Sequence, residues 1–498
     1  MNNHKHSPTE AAMKLRLILA FAAITIATAG CNDALSVRNP GAIQEGQLAD
    51  PALVQLIVNG AIGEFQYAYG QYAQWSGVLS DETFTDHTNV DVRDFSEHNF
   101  GDLNSVNSTT YEYIQRARQS ADDATGRLKS LLGTAATSDL NVARALAYGG
   151  YSYVLLGEGF CESPVNLSAP LPSDSLLRRA IARFDEAITV ATAGRQGANV
   201  AAAQDLIYMS QVGAARAALK LGDAALARSY ASQVPATYEK LAYYSSNTVR
   251  ENNALNALTH ASGASLGMYA RFLGLNDPRV PQPASTQLGL TGGSIYTPLT
   301  PYMYTGWVAT GQAPRVDVNY DIKFATGLEA QYVMAETDGP TPATLNFVNQ
   351  RRAVGGQGAV ALTGAALMTE LADQRARDFY LTGQRLGDLR RYAKAGNDMF
   401  PTGLYPLFND SYGALQVHDR PVERKGRQPE LLGRNWEAVA GAGSDLPESR
   451  SLPAPSPQAG GGDASGALRP VVSSETLLDL AEGVMPVGNA IASLFSTS

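Results

Sequence analysis

The chain has 498 residues, 44% hydrophobic and 17% charged, enough for a substantial core and by length alone for roughly two or three domains. A net charge of −9 excludes the basic face that phosphate-backbone binding needs, so no nucleic-acid partner is expected. Two cysteines, Cys31 and Cys161, exclude a disulfide framework and a structural zinc site, and six scattered histidines show no metal-ligand spacing, so neither metal nor cofactor is expected.

From Met13, "MKLRLILAFAAITIATAGC" reads as an export signal, which makes residues 1–30 a signal peptide with its start at Met13. Lys14 and Arg16 supply the positive segment and Leu17 to Ile26 the apolar one, too short for the about 20 residues of a membrane span. Its end, Thr28-Ala29-Gly30-Cys31, resembles a bacterial lipobox, although Thr28 replaces the usual leucine. That resemblance implies a lipid on Cys31 and anchoring to a membrane by acyl chains.

From Pro51 the pattern is helical. "LVQLIVNGAIGEFQYAY" puts Leu53, Leu56, Ile57, Gly60 and Ala61 on one face. Three amphipathic helices come next over 109–132, 139–159 and 175–193, with small residues Ala143, Ala147 and Gly150 lining the second. A helix pair over 206–234 turns at Leu221-Gly222-Asp223, with alanines at its packing positions, and resembles tetratricopeptide hairpins. Such hairpins bury a core only by stacking. Periodicity fades between 247 and 320, where "LTGGSIYTPLTPYMYTGWVATGQAPR" reads as irregular loop. Helices return over 320–339, 342–356 and 366–396. From 406 to 498 the composition is of low complexity, and a disordered or frameshifted tail is expected.

The run "RARDFYLTGQRLGDLRRY", Arg375 to Tyr392, carries the resemblance that organises the whole. Its Arg375, Arg377, Gly383, Arg385, Asp388, Leu389 and Arg390 match the C-terminal arginine motif of the SusD/RagB family of outer-membrane nutrient-binding lipoproteins. Gln374, Asp378 and Thr382 stand where that family usually has glutamates, and Leu386 and Gly387 replace two aromatics. Arg144, Ala145, Tyr151 and Leu155 resemble an upstream family helix whose usual Phe-Gly close is altered here. Glu329, Glu336, Asn346, Asn349 and Arg351 keep the order of the helix pair before the arginine run. Read one nucleotide later, codons for Val422 to Leu431 permit an ending of the family's kind, which is the basis for the frameshift expectation.

The resemblance implies a mostly α fold, a single SusD-like helical body over 31–405 with tetratricopeptide-like hairpins and irregular ligand loops. It implies non-catalytic capture of a glycan or peptide, delivery to a SusC-like TonB-dependent transporter, and residence on the outer membrane. Gly383 is expected to end one helix, and the arginines, with Arg375, Arg377, Asp378, Arg385, Asp388 and Arg390 as structural residues, to brace the fold through Asp378, Asp388 and the upstream glutamates. Ligand contacts are expected from Tyr296, Tyr302, Tyr304 and Trp307, aromatic faces on a Gly/Pro/Thr-rich loop. Tyr67, Tyr69, Tyr72 and Trp75 form a second aromatic set, of which at least half should pack in the core.

Two alternatives belong to other classes. "GASLG", Gly263 to Gly267, fits the GxSxG nucleophile elbow of a serine hydrolase, although no hydrophobic strand precedes it. A tetratricopeptide-like scaffold binding proteins is the third class, and Cys161 reads as a lone thiol at a helix end. The lipobox is tested directly: Cys31→Ser should lose the acyl mass and leave the membrane fraction, whereas a mutant still membrane-bound with unchanged mass refutes it.

Overall fold

A computed structural model describes residues 50–101, 103–260, 264–309, 313–407 and 410–413. The signal segment, Cys31, Gly263 and the tail from 414 lie outside the described residues. A short turn, Pro51–Leu53, belongs to a separate unit, and the main unit begins at Val54.

Seven helices come first in the main unit: α1 Val54–Val78, α2 Val90–Ser96, α3 Ser105–Leu132, α4 Leu140–Gly159, α5 Ser173–Ala193, α6 Val200–Leu221 and α7 Ala224–Ala231. Side chains of Asn89, Asn104, Asp139 and Asp223 accept backbone N–H bonds at four of their starts, which satisfies donors that a helix leaves free. Neighbours in sequence pack against one another from α3 to α7, in hairpin fashion. Between α6 and α7 the turn is the expected one. Gly222 takes φ +80, and Asp223 accepts from the Leu226 N–H at 3.0 Å.

Phe184 of α5 shows why small residues line the adjoining helices. A Cβ at Gly150 of α4 would lie 2.6 Å from its ring, and one at Gly213 of α6 would lie 2.3 Å from it. The face of α1 differs from the expected one. Leu53 precedes the helix, Leu56 is 49% exposed, and a Cβ at Gly60 would meet nothing within 4 Å. The buried edge runs instead through Val58, Ala61, Phe65, Tyr69 and Tyr72. Phe65 meets Tyr148 and Phe324 at 5.2 and 5.4 Å between centroids, so large aromatics rather than the leading leucines orient the helix.

The middle of the chain is irregular, as its composition predicts, apart from a short helix α8, Leu255–Thr259, and small antiparallel ribbons. Strand β1, Thr83–Thr85, pairs with Leu266–Met268, and Glu239–Ala242 pairs with Ile322–Thr326. That last strand corrects the expectation of helix from 320. Ile322, Phe324 and Ala325 are buried side chains of a ribbon, and helix α9, Gly327–Asp338, begins only after it. Helices α10 Pro342–Val354, α11 Gly364–Asp378 and α12 Arg385–Lys394 complete twelve among the described residues. The body also continues past the expected boundary at 405: Leu404 bridges to Ser411, and the Gly413 N–H donates to the Glu97 carbonyl at 2.7 Å.

The arginine run supplies the last fastening. Gly383, at φ +80, lies in the turn that lets α12 fold back as expected, but α11 already ends at Asp378, so the glycine does not end the helix itself. Arg375 donates to Asp388 at 2.7 Å and to Gln384 at 3.0 Å, while Lys220 of α6 reaches the other Asp388 oxygen at 2.6 Å. Burial alone would raise the Asp388 carboxyl, but Arg375, Lys220 and Arg391 hold it well below the usual carboxylate range. Arg385 holds Asp81 with two bonds of 2.6 Å, and Arg390 donates to backbone carbonyls at the end of α4. Asp378 is engaged from outside the run, by Arg279 at 3.0 Å and by Arg351 at 2.6 and 2.8 Å. Of the two upstream glutamates, Glu336 pairs with Arg391 at 2.7 Å, whereas Glu329 is taken by Arg216 at 2.8 Å.

Glu82 lies beside this network, fully buried between α1 and the turn after α11. The Leu381 N–H donates to one of its oxygens at 2.8 Å, and burial pushes the carboxyl from its ordinary 4.5 up to about 8. A carboxyl with that shift favours the folded state fully below pH 4.5 and loses the advantage as pH rises towards 8.

Substitutions test both the buried carboxyl and the brace. Glu82→Gln keeps the shape without the ionisation: it should match the parent near pH 4.5 and exceed it by on the order of 1–3 kcal/mol at pH 8 in denaturant unfolding. A difference that does not grow with pH rejects this role. Arg385→Ala removes two of the bonds to the buried Asp81 carboxylate and leaves it only Arg271, which should cost about 3 kcal/mol. Arg377→Ala removes one 3.5 Å contact and should cost about 1 kcal/mol or less by the same measurement.

Candidate functional site

The loop that carries the expected ligand aromatics is anchored at both sides of Tyr302. Its N–H donates to the Arg279 carbonyl at 3.1 Å, and a turn after Tyr304 brings the Trp307 N–H to the Tyr304 carbonyl at 3.0 Å. Gly306 is required there, since a Cβ would lie 2.0 Å from the Tyr320 ring.

Tyr302 and Trp307 are brought together. Their rings meet edge to face at 4.8 Å, and the Trp307 Nε1–H donates to the Pro278 carbonyl at 2.7 Å. The Arg351 guanidinium lies 5.6 Å from the Tyr302 ring centre. Both aromatics remain half-buried, so each keeps part of its surface towards solvent. Tyr296 is also half-buried and makes no ring contact with that pair among the described residues. Tyr304 is different. It is 2% exposed, its hydroxyl donates to the Leu381 carbonyl at 2.7 Å, and burial pushes its phenol well above 10. It has no face to offer a ligand and leaves the candidate set.

The second aromatic set divides as expected. Tyr69 and Tyr72 are core, while Tyr67 and Trp75 are half-buried. Tyr67 packs against Tyr113 at 4.7 Å with the Arg250 guanidinium 4.3 Å above its ring.

The nucleophile-elbow geometry is reversed. Ser265 is fully buried and precedes the strand Leu266–Met268, where an elbow needs the strand before the serine and a helix after it. Its carbonyl accepts from the Thr85 hydroxyl at 3.0 Å, and its Oγ has no hydrogen-bond partner among the described residues. Cys161 is an exposed thiol just past α4, as its sequence position suggests. No group of three metal-binding side chains occurs among the described residues.

One concave feature has no counterpart in the sequence reading. A cleft of about 550 Å³ opens between the segment Tyr269–Leu275, the Thr369–Arg377 face of α11 and the segment Met399–Thr402. Tyr269, Arg271, Asp373 and Arg377 contribute to its lining. Separated stretches of chain build it, so no local pattern in the sequence signals it. The one legible hint is Arg377, which the motif assigns to the brace.

No family model matches the sequence, and no curated protein matches it. Solved structures do. A SusD homolog from Bacteroides thetaiotaomicron superposes with a TM-score of 0.56 at 15% identity, over 77% of this chain and 97% of that one. A SusD superfamily protein from Bacteroides vulgatus gives a TM-score of 0.54 at 14% identity, over 76% and 97%. Surface glycan-binding protein A from Bacteroides thetaiotaomicron, solved in complex with laminarihexaose, gives 0.56 at 13% identity, over 76% and 97%. At such identities the likeness fixes the architecture: this chain has the SusD-like fold, mostly α with tetratricopeptide-like hairpins.

Proposed function

We propose that this SusD-like chain captures a glycan without catalysis and delivers it to a SusC-like TonB-dependent transporter in the outer membrane, held there by a lipid on Cys31. The observation that carries the reading is the fold, which spans nearly the full length of neighbours described as carbohydrate- and laminarin-binding. The Tyr302–Trp307 pair supports it. A sugar ring needs a flat apolar face beside hydrogen-bond donors, and Arg351 stands next to this one. Ser265, buried ahead of a strand, supports binding over hydrolysis. A peptide ligand is the alternative outcome of the same test.

Oligosaccharides and oligopeptides titrated against the purified chain separate the two. Trp307→Ala should weaken binding of the cognate ligand by about 5- to 140-fold, the effect of removing an aromatic anchor worth about 1–3 kcal/mol. The ligand should be recovered intact. Because the indole also holds Pro278, a modest fall in melting temperature accompanies the loss. Unchanged affinity together with a large loss of stability identifies Trp307 as packing and moves the site elsewhere.

A further inference from the structure

The cleft beside α11 is separate from the loop aromatics: neither Tyr302 nor Trp307 lines it. Its volume, about 550 Å³, falls in the roughly 300–1,000 Å³ range of small-molecule sites. Tyr269, Leu275 and Met399 present half-buried apolar surface in it, backed by buried Phe272 and Phe400.

The polar lining divides into spent and unspent groups. Asp81 is spent: it receives both bonds from Arg385 and a further one from Arg271, and only 3% of its side chain is exposed. Arg271 is fixed between Asp81 and Asp373, donating to the Asp373 Oδ1 at 2.6 Å. Asp373 keeps its other oxygen without a hydrogen bond among the described residues, and so does the Tyr269 hydroxyl. Arg377 makes one 3.5 Å contact with Asp277, which leaves most of its five N–H donors available. Acceptor, donor and hydroxyl thus face one small space over an apolar floor.

Charge decides the class of ligand. Two carboxylates, Asp81 and Asp373, balance two guanidiniums, Arg271 and Arg377, so an anionic unit meets Asp373 and a cationic one meets Arg377. A neutral ring with vicinal hydroxyls satisfies both at once and lays its C–H face on the apolar surface. We propose that this cleft is a carbohydrate subsite for a neutral sugar unit, with Arg377 as donor and Asp373 as acceptor. The assignment rests on the reading of the chain as a glycan binder. It gives Arg377, expected as a structural residue, a role at the ligand.

The test uses calorimetric titration of the full chain with neutral oligosaccharides and with uronic-acid oligomers. Arg377→Met removes the donor while keeping an unbranched stem, and Thr369→Phe, at an exposed position on the rim, fills the cleft without touching an ion pair. Each should weaken the neutral ligand about ten-fold or more, which corresponds to 1.4 kcal/mol, while the melting temperature falls by no more than the loss of one long contact implies. If Arg377→Met does not fold, Thr369→Phe decides alone. Binding that Trp307→Ala weakens while both cleft variants leave it intact overturns the subsite and spares the functional reading. Stronger binding of uronic-acid oligomers overturns the charge argument and with it the assignment. A parent that binds no oligosaccharide overturns the functional reading and the subsite together.

Discussion

Buried guanidinium–carboxylate pairing is the constraint on which this structure depends. Arg216, Arg279 and Arg375 are among the largest fully buried side chains, and each lies where a bare charge would be prohibitively costly. Pairing therefore dictates which segments must meet. Asp388 ties α12 to α6 through Lys220, Asp81 ties α12 to the end of α1 through Arg385, and Asp378 ties α11 to Arg279 and Arg351. The separations along the chain run to 304 residues, so these bonds close the fold rather than shape its parts. Replacing such pairs by apolar residues need not reduce stability, but losing one partner does, because the other charge is then left buried and unpaired.

Rigidity at that network frees the intervening chain to be irregular. The segment from 266 to 309 has little regular structure, yet it is fastened where it passes the braced helices: Asp277 and Arg279 to α11, Tyr302 to Arg279, and Trp307 to Pro278. Recognition groups on loops gain from such anchoring, because less ordering entropy is lost when a ligand arrives. The Tyr302–Trp307 pair and the cleft beside Tyr269 both draw on this one segment.

Much of this fold is legible in the sequence, and the reasons for success and failure are physical. Helices α3 to α7 are local objects, written in periodicity and in caps such as Asp139 and Asp223, and they lie close to their expected bounds. The face of α1 escapes aliphatic spacing because Phe65 and Tyr69 set it, and their partners are distant in the chain. The strand Ile322–Thr326 escapes local reading because its pairing partner lies some eighty residues upstream at Glu239–Ala242. Gly387 in the arginine run has a local reason that the sequence alone does not show. A Cβ at Gly387 would lie 2.8 Å from the Glu158 carboxyl carbon, so glycine in the arginine run makes room for the glutamate at the altered end of α4. Tyr304 looks equivalent to its neighbours in sequence, yet it is core, since composition marks a loop without saying which of its side chains turn inward.

The arginine run shows where motif reading stops. Arg375 and Arg377 are two positions apart on α11, and at about 100° per residue they point roughly 200° around the axis from one another. One arginine is therefore driven into the core, 1% exposed and paired with Asp388, while the other emerges beside the cleft with a single long contact. A match to the same motif covers both. Only the position of the helix between core and cleft separates a residue that holds the molecule together from one that is left with hydrogen bonds to give.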